Sequence, residues 1–208
     1  MIVMTLDQIC AQILALPPAP HRRLVAMAGP PASGKSTMAE ALAKRLTAQG
    51  EETAVVPMDG FHLDDRLLQL DGTKNRKGAP NTFDAHGFVR LIKALQSPDP
   101  VVYPIFDRSR EIAIAGAGRI PAKCRTVVVE GNYLMLRTPP WNQLHDLWTF
   151  SIALNPPIDL LIARLQARWV THDKPDAQAW IDTNDVPNIT TVQTKSAPAD
   201  IIWTETPI

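Results

Sequence analysis

GPPASGKST, Gly29 to Thr37, decides how this chain is read. The string fits G-x-x-x-x-G-K-[ST], a spacing with a physical cause. Gly29 and Gly34 let the backbone curl so that its N–H groups face phosphate oxygens. Pro30, Ala32 and Ser33 complete the cradle. Lys35 sets a cation on the β- and γ-phosphates, and Ser36, followed by Thr37, offers a hydroxyl to Mg²⁺. A helix that starts at Lys35 adds the positive end of its dipole to the same anion site. The context fits as well, because Arg23 to Ala28 is a short apolar run that reads as a strand and Lys35 to Gln49 reads as a helix. A nucleoside triphosphate with Mg²⁺ is the expected ligand.

Working outward, the pattern alternates. Strands are expected at Thr53–Met58, Thr126–Val129, Trp148–Leu154 and Asp200–Thr204, a strand or extended segment at Val101–Phe106, and helices at Ala85–Gln96, near Trp141–Leu147 and at Ile158–Trp169. The last helix sets Ile158, Leu161, Ile162, Leu165 and Trp169 on one face. Strands that are apolar throughout, separated by helices, imply a parallel sheet buried on both faces, hence an α/β fold. Most of the 19 prolines punctuate element ends. At 208 residues a single domain, 1–208, is expected. Residues 1–20 are expected to add an amphipathic helix packed on that domain, since Leu6, Ile9, Ile13 and Leu16 recur at spacings of three and four. A signal peptide fits less well, for Asp7 and Gln8 interrupt the run and no basic segment precedes it.

Charge and cysteine usage exclude other classes. Lysine plus arginine and aspartate plus glutamate are both 21, so no global field gathers nucleic acid or an anionic membrane surface. No apolar run reaches the ~18–20 residues of a membrane span. Cys10 and Cys124 lie far apart, which fits neither a disulfide framework nor a zinc site and suits a reducing cytoplasm.

Two carboxylates follow strands. PMDGFHLDD, Pro57 to Asp65, puts Asp59 just past the second strand, on the side where open α/β sheets bind ligands. There it reads either as a base for an acceptor hydroxyl or as the aspartate of a D-G turn. VVVEGNYL, Val127 to Leu134, ends a buried run in Glu130, which suits contact with Mg²⁺ or a capping role. Asp64 and Asp65 fit a helix cap. A GTPase would need N-K-x-D, whereas the nearest string is Asp173-Lys174-Pro175-Asp176. A kinase needs an acceptor site and a base beside the γ-phosphate. A triphosphate-hydrolysing switch without an acceptor is the alternative.

GPPASGKST, PMDGFHLDD, RKGAPNTFD, YPIFDRSRE, VVVEGNYL, RLQARW, NDVPN and ADIIW, in this order, make the chain resemble the P-loop kinase group of uridine kinase, bacterial pantothenate kinase and phosphoribulokinase. It looks most like the bacterial proteins labelled nucleoside kinase-like or "putative fructose transport system kinase". The resemblance runs from about Leu24 to Trp203. It implies a P-loop three-layer fold with a five-stranded parallel sheet, a small lid and a substrate-side hairpin. It also implies transfer of the ATP γ-phosphoryl to a hydroxyl of a small-molecule acceptor, with ATP and Mg²⁺ as cofactors, no nucleic acid or membrane partner, and a homodimer left open. By the same resemblance Asp59 is the base, Glu130 the Mg²⁺-side acid, and Asp84 a ligand of sugar hydroxyls. Asp107, Arg108 and Arg110 border the acceptor, and Arg164 and Arg168 meet ATP phosphates from the lid. The chain departs from uridine kinases where they carry Y-D-F…H-x-R and it has Phe106-Asp107-Arg108-Ser109-Arg110, which argues against uridine as acceptor.

Other features read two ways. His62 touches the acceptor or is structural, and Tyr103 and Phe106 stack on a ring or fill the core. The Gly72–Pro80 loop, with Lys74, Arg76 and Lys77, is a lid over an anion or a solvated loop. Asn184 and Asn188 of NDVPN border adenine or, as favoured here, cap and turn. Trp169, Trp180 and Trp203 are expected to be packing residues.

Overall fold

The computed structural model describes residues 4–171 and 175–203. Residues 173, 174 and 204, named in two of the readings above, lie outside the described residues. In chain order come α1 (Leu6–Ala15), β1 (Arg23–Ala28), α2 (Lys35–Ala48), β2 (Thr53–Pro57), α3 (Asp65–Leu70), α4 (Ala85–Leu95), β3 (Val101–Asp107) and β4 (Ile112–Ile120). Then follow β5 (Thr126–Gly131), β6 (Phe150–Leu154), α5 (Ile158–Thr171), α6 (Ala177–Trp180), α7 (Val186–Lys195) and β7 (Ile201–Trp203).

Five strands form one parallel sheet in the order β2-β5-β1-β6-β7. Alternation along β1 explains the three layers, since Leu24, Ala26 and Ala28 face one helix layer and Val25 and Met27 the other. The first layer holds Phe88, Val89, Leu91, Ile92 and Leu95 of α4 with Trp141 and Leu144. The second holds Met38, Ala39, Leu42 and Leu46 of α2 together with Ile9, Cys10 and Ile13 of α1, all buried. Thr5 starts α1 with a capping box shared with Gln8, which explains why the N-terminal segment is helical from Leu6. No described helix is long and apolar enough to cross a membrane.

The strand or extended segment expected at Val101–Phe106 is present as β3. Val101–Phe106 does not join the main sheet. It pairs antiparallel with β4, from Val101 opposite Ile120 to Asp107 opposite Ile112, and forms a separate two-stranded hairpin. β4 escaped notice because IAIAGAGRI is poor in β-formers and half exposed, so it lacks the apolar run of a central strand. Tyr103 takes the second of its two readings. It is buried beside Gly118, where a Cβ would come within 2.4 Å of its ring, and its hydroxyl donates to the Val55 carbonyl at 3.1 Å. Tyr103 thus pins the hairpin to β2 and is a packing residue.

Arg22 holds the opposite end of the molecule. Its buried guanidinium donates to the carbonyls of Cys124 (3.2 Å), Leu95 (3.4 Å), Pro98 (3.2 Å), Asp99 (2.8 Å), Pro121 (3.2 Å) and Ser97. One side chain thereby satisfies the end of α4, the turn into β3 and the turn after β4. Isolated carbonyls there would carry the full cost of desolvation.

Candidate active site

At the carboxyl ends of the parallel strands lies a cleft of about 870 Å³. Its floor is the loop between β1 and α2. The residue types of that loop are explained by space and by dihedral angle separately. Gly34 is left-handed at φ 87°, the conformation glycine tolerates best, and turns the chain into α2. Gly29 is required for room instead, because a Cβ there would sit 2.6 Å from the Ser33 hydroxyl and 3.1 Å from Leu154. The other left-handed residue of the loop is Ala32, at φ 62°. A non-glycine held there is uncommon and clusters at functional sites. Arg164 of α5 supports that turn by donating to the Ala32 carbonyl at 3.2 Å.

Lys35 opens α2 and lines the cleft, and Ser36 beside it donates to Glu130 Oε1 at 3.0 Å. Glu130 is buried at the end of β5, and burial pushes its carboxyl above the ordinary value while the Lys35 cation pulls it back. A hydroxyl and a carboxylate in contact are hard oxygen donors of the kind Mg²⁺ takes, with waters and phosphate oxygens filling its remaining positions. The residues present therefore fit the cation. Among the described residues there is no group of three or more His, Cys, Asp and Glu that could hold a metal on its own.

Asp59 lies in the 3-10 turn Met58–Phe61 directly after β2, and Pro57 pairs with Glu130 across the sheet. The two carboxylates thus leave adjacent strand ends. Gly60 is there because the hairpin lies against this turn, where a Cβ would be 2.1 Å from the Pro104 carbonyl oxygen. The D-G pair seats the hairpin and is more than a loose turn. Arg108, just past β3, donates from Nη2 to Asp59 Oδ2 at 2.5 Å. His62 donates from Nδ1 to the Asp59 carbonyl at 2.8 Å, and its ring lies 4.1 Å from Phe83 and 4.7 Å from Phe106. Burial lowers its pKa and favours the neutral ring.

The opposite wall comes from the lid side. Arg168 enters the cleft beside Trp169, and burial first, then the Arg108 charge, lowers its pKa. Trp169 donates from Nε1 to Asp185 at 2.8 Å. Asp185 ends a π-helical turn, Ile181–Asp185, an irregularity frequent at functional sites. Trp169, Trp180, Asp185 and Asn188 line the cleft with Asn132; of these only Asn188 had a site reading from the sequence, and there capping was favoured. The tryptophans were expected to be packing residues, and their only sequence signal is proximity to Arg168 and to NDVPN. Asn184 donates to the Lys77 carbonyl at 2.9 Å and so straps the 72–80 loop to the lid side. In that loop Lys77 reaches Asp65 at 2.8 Å and Glu111 at 3.1 Å, Lys74 reaches Asp65 at 3.1 Å, and Arg76 donates to the Thr183 carbonyl. The loop is a tied wall of the cleft.

Three expected acceptor residues stand elsewhere. Asp84 caps α4, accepting from the Gly87 N–H at 2.7 Å, and faces a separate recess of about 370 Å³ with Trp141 and Leu63. Asp107 accepts from the Ser109 and Arg110 N–H groups and pairs with Arg110 Nε at 2.8 Å. These contacts hold the Asp107 carboxyl well below the usual range and spend both side chains on the hairpin turn. Of the FDRSR segment, Phe106 and Arg108 face the cleft.

A family model described as "Chromatin associated protein KTI12" matches residues 23–77, the stretch from β1 to the cleft wall at Lys77. A Schizosaccharomyces pombe protein named "Putative uridine kinase C227.14" is 31% identical over 194 residues, covering 88% of this chain and 83% of the relative. The crystal structure of a "putative fructose transport system kinase" from Silicibacter sp. TM1040 superposes with a TM-score of 0.93 at 47% identity, covering 96% of this chain and 99% of that one. The chain belongs to the P-loop kinases related to uridine kinase. A pantothenate kinase from Rhodococcus erythropolis is a further relative of this kinase, 30% identical over 139 residues, with 65% of this chain and 44% of the relative covered. Membership implies ATP as the phosphoryl donor and Mg²⁺ as its companion.

Proposed function

We propose that this kinase transfers the ATP γ-phosphoryl group to a hydroxyl of a small polar acceptor of the sugar, nucleoside or pantothenate type. The observation that carries the reading is that Asp59, after β2, and Lys35, after β1, line one cleft, while β5 between those strands ends in Glu130 bonded to Ser36. The names of the relatives, uridine kinase and pantothenate kinase, support a hydroxyl acceptor.

In this mechanism the phosphate loop from Gly29 to Thr37 holds the triphosphate by backbone N–H groups and Lys35. Ser36 and Glu130 would hold Mg²⁺, which when bound neutralises phosphate charge and orients the γ-phosphoryl group. Asp59 holds the acceptor hydroxyl in line and takes its proton. The hydroxyl oxygen then bonds to the γ-phosphorus while the bond to the β,γ-bridging oxygen breaks, its electron pair leaving on ADP. Lys35 and Arg168 stabilise the charge that spreads over the transferring group, and Arg164 keeps the Ala32 turn in place beneath it. His62 keeps Asp59 in position through its backbone carbonyl, and the tryptophans of the lid side exclude water. Such chemistry is mostly positioning and electrostatics.

The test is ADP release from Mg-ATP with a panel of sugars, nucleosides, pantothenate and related hydroxyl compounds. Strong stimulation by one compound, lost in Asp59→Asn, is the expected result. Steady ADP release indifferent to every compound would replace this reading by an acceptor-free switch.

A further inference from the structure

The acceptor wall of the cleft carries three cations, and their partners differ in kind. Lys77 is held by Asp65 and Glu111, and Lys74 by Asp65, all carboxylates with no part in the transfer. Arg108 is held by Asp59, at 2.5 Å. Arg108 is therefore the acceptor-wall cation whose counter-charge is consumed by the reaction. As Asp59 takes the hydroxyl proton it becomes neutral, and the guanidinium is left without its compensation in a cleft that Arg168 also lines. The same contact has a second consequence before the reaction. With Arg108 on Asp59 Oδ2, a hydroxyl of water or of the acceptor must compete with a guanidinium for that oxygen. A neutral polyol brings no charge to replace the carboxylate, so it competes poorly for the guanidinium, whereas an oxyanion competes on equal terms. Arg108 is free to move, since its side chain is 54% exposed and extends from a hairpin turn.

We propose that Arg108 is a specificity-determining residue that selects an acceptor bearing a carboxylate or phosphate group and guards Asp59 until that anion arrives. This rests on the reading of Asp59 as the base. The anion of the acceptor draws Arg108 away, the freed Oδ2 takes up the acceptor hydroxyl, and Arg108 keeps a counter-charge when Asp59 is protonated. Without the anion the guanidinium stays on the base and competes with water for it, which slows phosphoryl transfer to water in the acceptor's place.

The experiment compares wild type, Arg108→Gln, Arg108→Lys and the double variant Arg108→Gln with Asp59→Asn. ADP release is measured with Mg-ATP alone and with matched pairs: D-glycerate and glycerol, pantothenate and panthenol, ribose 5-phosphate and ribose. Wild type is expected to release little ADP alone and to respond to the acidic member of a pair at least about tenfold more than to its neutral partner. Arg108→Gln should raise acceptor-free hydrolysis about tenfold, a part of the ~10²–10⁴ that a base supplies, and lose the acidic preference. The double variant should lose that extra hydrolysis, and Arg108→Lys should retain the guard in part. Equal or better use of the neutral members overturns the proposal. So does an acceptor-free rate in Arg108→Gln no higher than wild type, a comparison that decides even if no pair is turned over. Such a flat rate together with an inactive Asp59→Asn would sink the Arg108 proposal alone. An Asp59→Asn variant that is fully active would sink the base assignment beneath it.

Discussion

Alanine at position 60 would place a Cβ 2.1 Å from the Pro104 carbonyl oxygen and 2.6 Å from its carbon, both backbone atoms that no rotamer change can move aside. To reach an ordinary separation, the Met58–Phe61 turn and the hairpin must part by roughly 1 Å, a displacement that costs on the order of 10²-fold when it reaches a reacting group. It does reach one, because Asp59 precedes Gly60 and its Arg108 partner hangs from the displaced hairpin. Overpacking of this kind destabilises by about 1–3 kcal/mol, and a chain of this size loses about 2–4 °C in Tm per kcal/mol. Lys35 lies on another connection, so ATP affinity should be unchanged. Gly60→Ala is therefore expected to fold, to bind ATP as wild type does in a calorimetric titration, and to lose about 10²-fold in acceptor-dependent kcat. Wild-type turnover in a folded Gly60→Ala would refute the claim that the close approach of the hairpin positions Asp59.

Three further outcomes are expected. Burial holds the Glu130 carboxyl above its ordinary 4.5, so the folded state keeps that proton to higher pH than the unfolded chain and stability declines as pH rises above 4.5. Glu130→Gln should accordingly melt higher than wild type at pH 7, with the gap closing by pH 4, while losing Mg²⁺-dependent turnover; a gap independent of pH would contradict this. Arg22→Met should lower stability by at least ~3 kcal/mol in urea unfolding, since it takes the guanidinium from six carbonyls, of which Pro121 alone is also shown accepting from another N–H, and each buried orphan costs ~1–3 kcal/mol. A loss below ~1 kcal/mol would show that water replaces the guanidinium there. Trp169 and Trp180 line the cleft whereas Trp141 is buried in the α4 layer, so Mg-ATP should change the intrinsic fluorescence and Trp169→Phe with Trp180→Phe should remove most of that change.

Much of the fold was legible because its signals are local. The phosphate loop, the apolar strands and the helix after Lys35 each follow from residues within one element, and the parallel sheet follows from their alternation. The hairpin was half legible. β3 is apolar, whereas β4 is stabilised by pairing and by the Tyr103 ring over Gly118, contacts that a pattern rich in glycine and alanine does not announce. The site divides in the same way. Lys35, Ser36, Asp59 and Glu130 sit at strand ends, where sequence and topology together fix their place. Asp84 and Asp107 have side chains able to serve a nearby backbone, so local capping and turn contacts claim them, and Arg110 is claimed by Asp107. Trp169, Trp180 and Asp185 reach the cleft only because a π-helical turn and the fold of the lid side bring them there.

The most direct test of the central claim is acceptor-dependent ADP release by Asp59→Asn beside wild type, with ATP binding titrated in parallel. The account predicts intact ATP binding and transfer lowered by ~10²-fold or more. Unchanged transfer by a folded Asp59→Asn that binds ATP would contradict it.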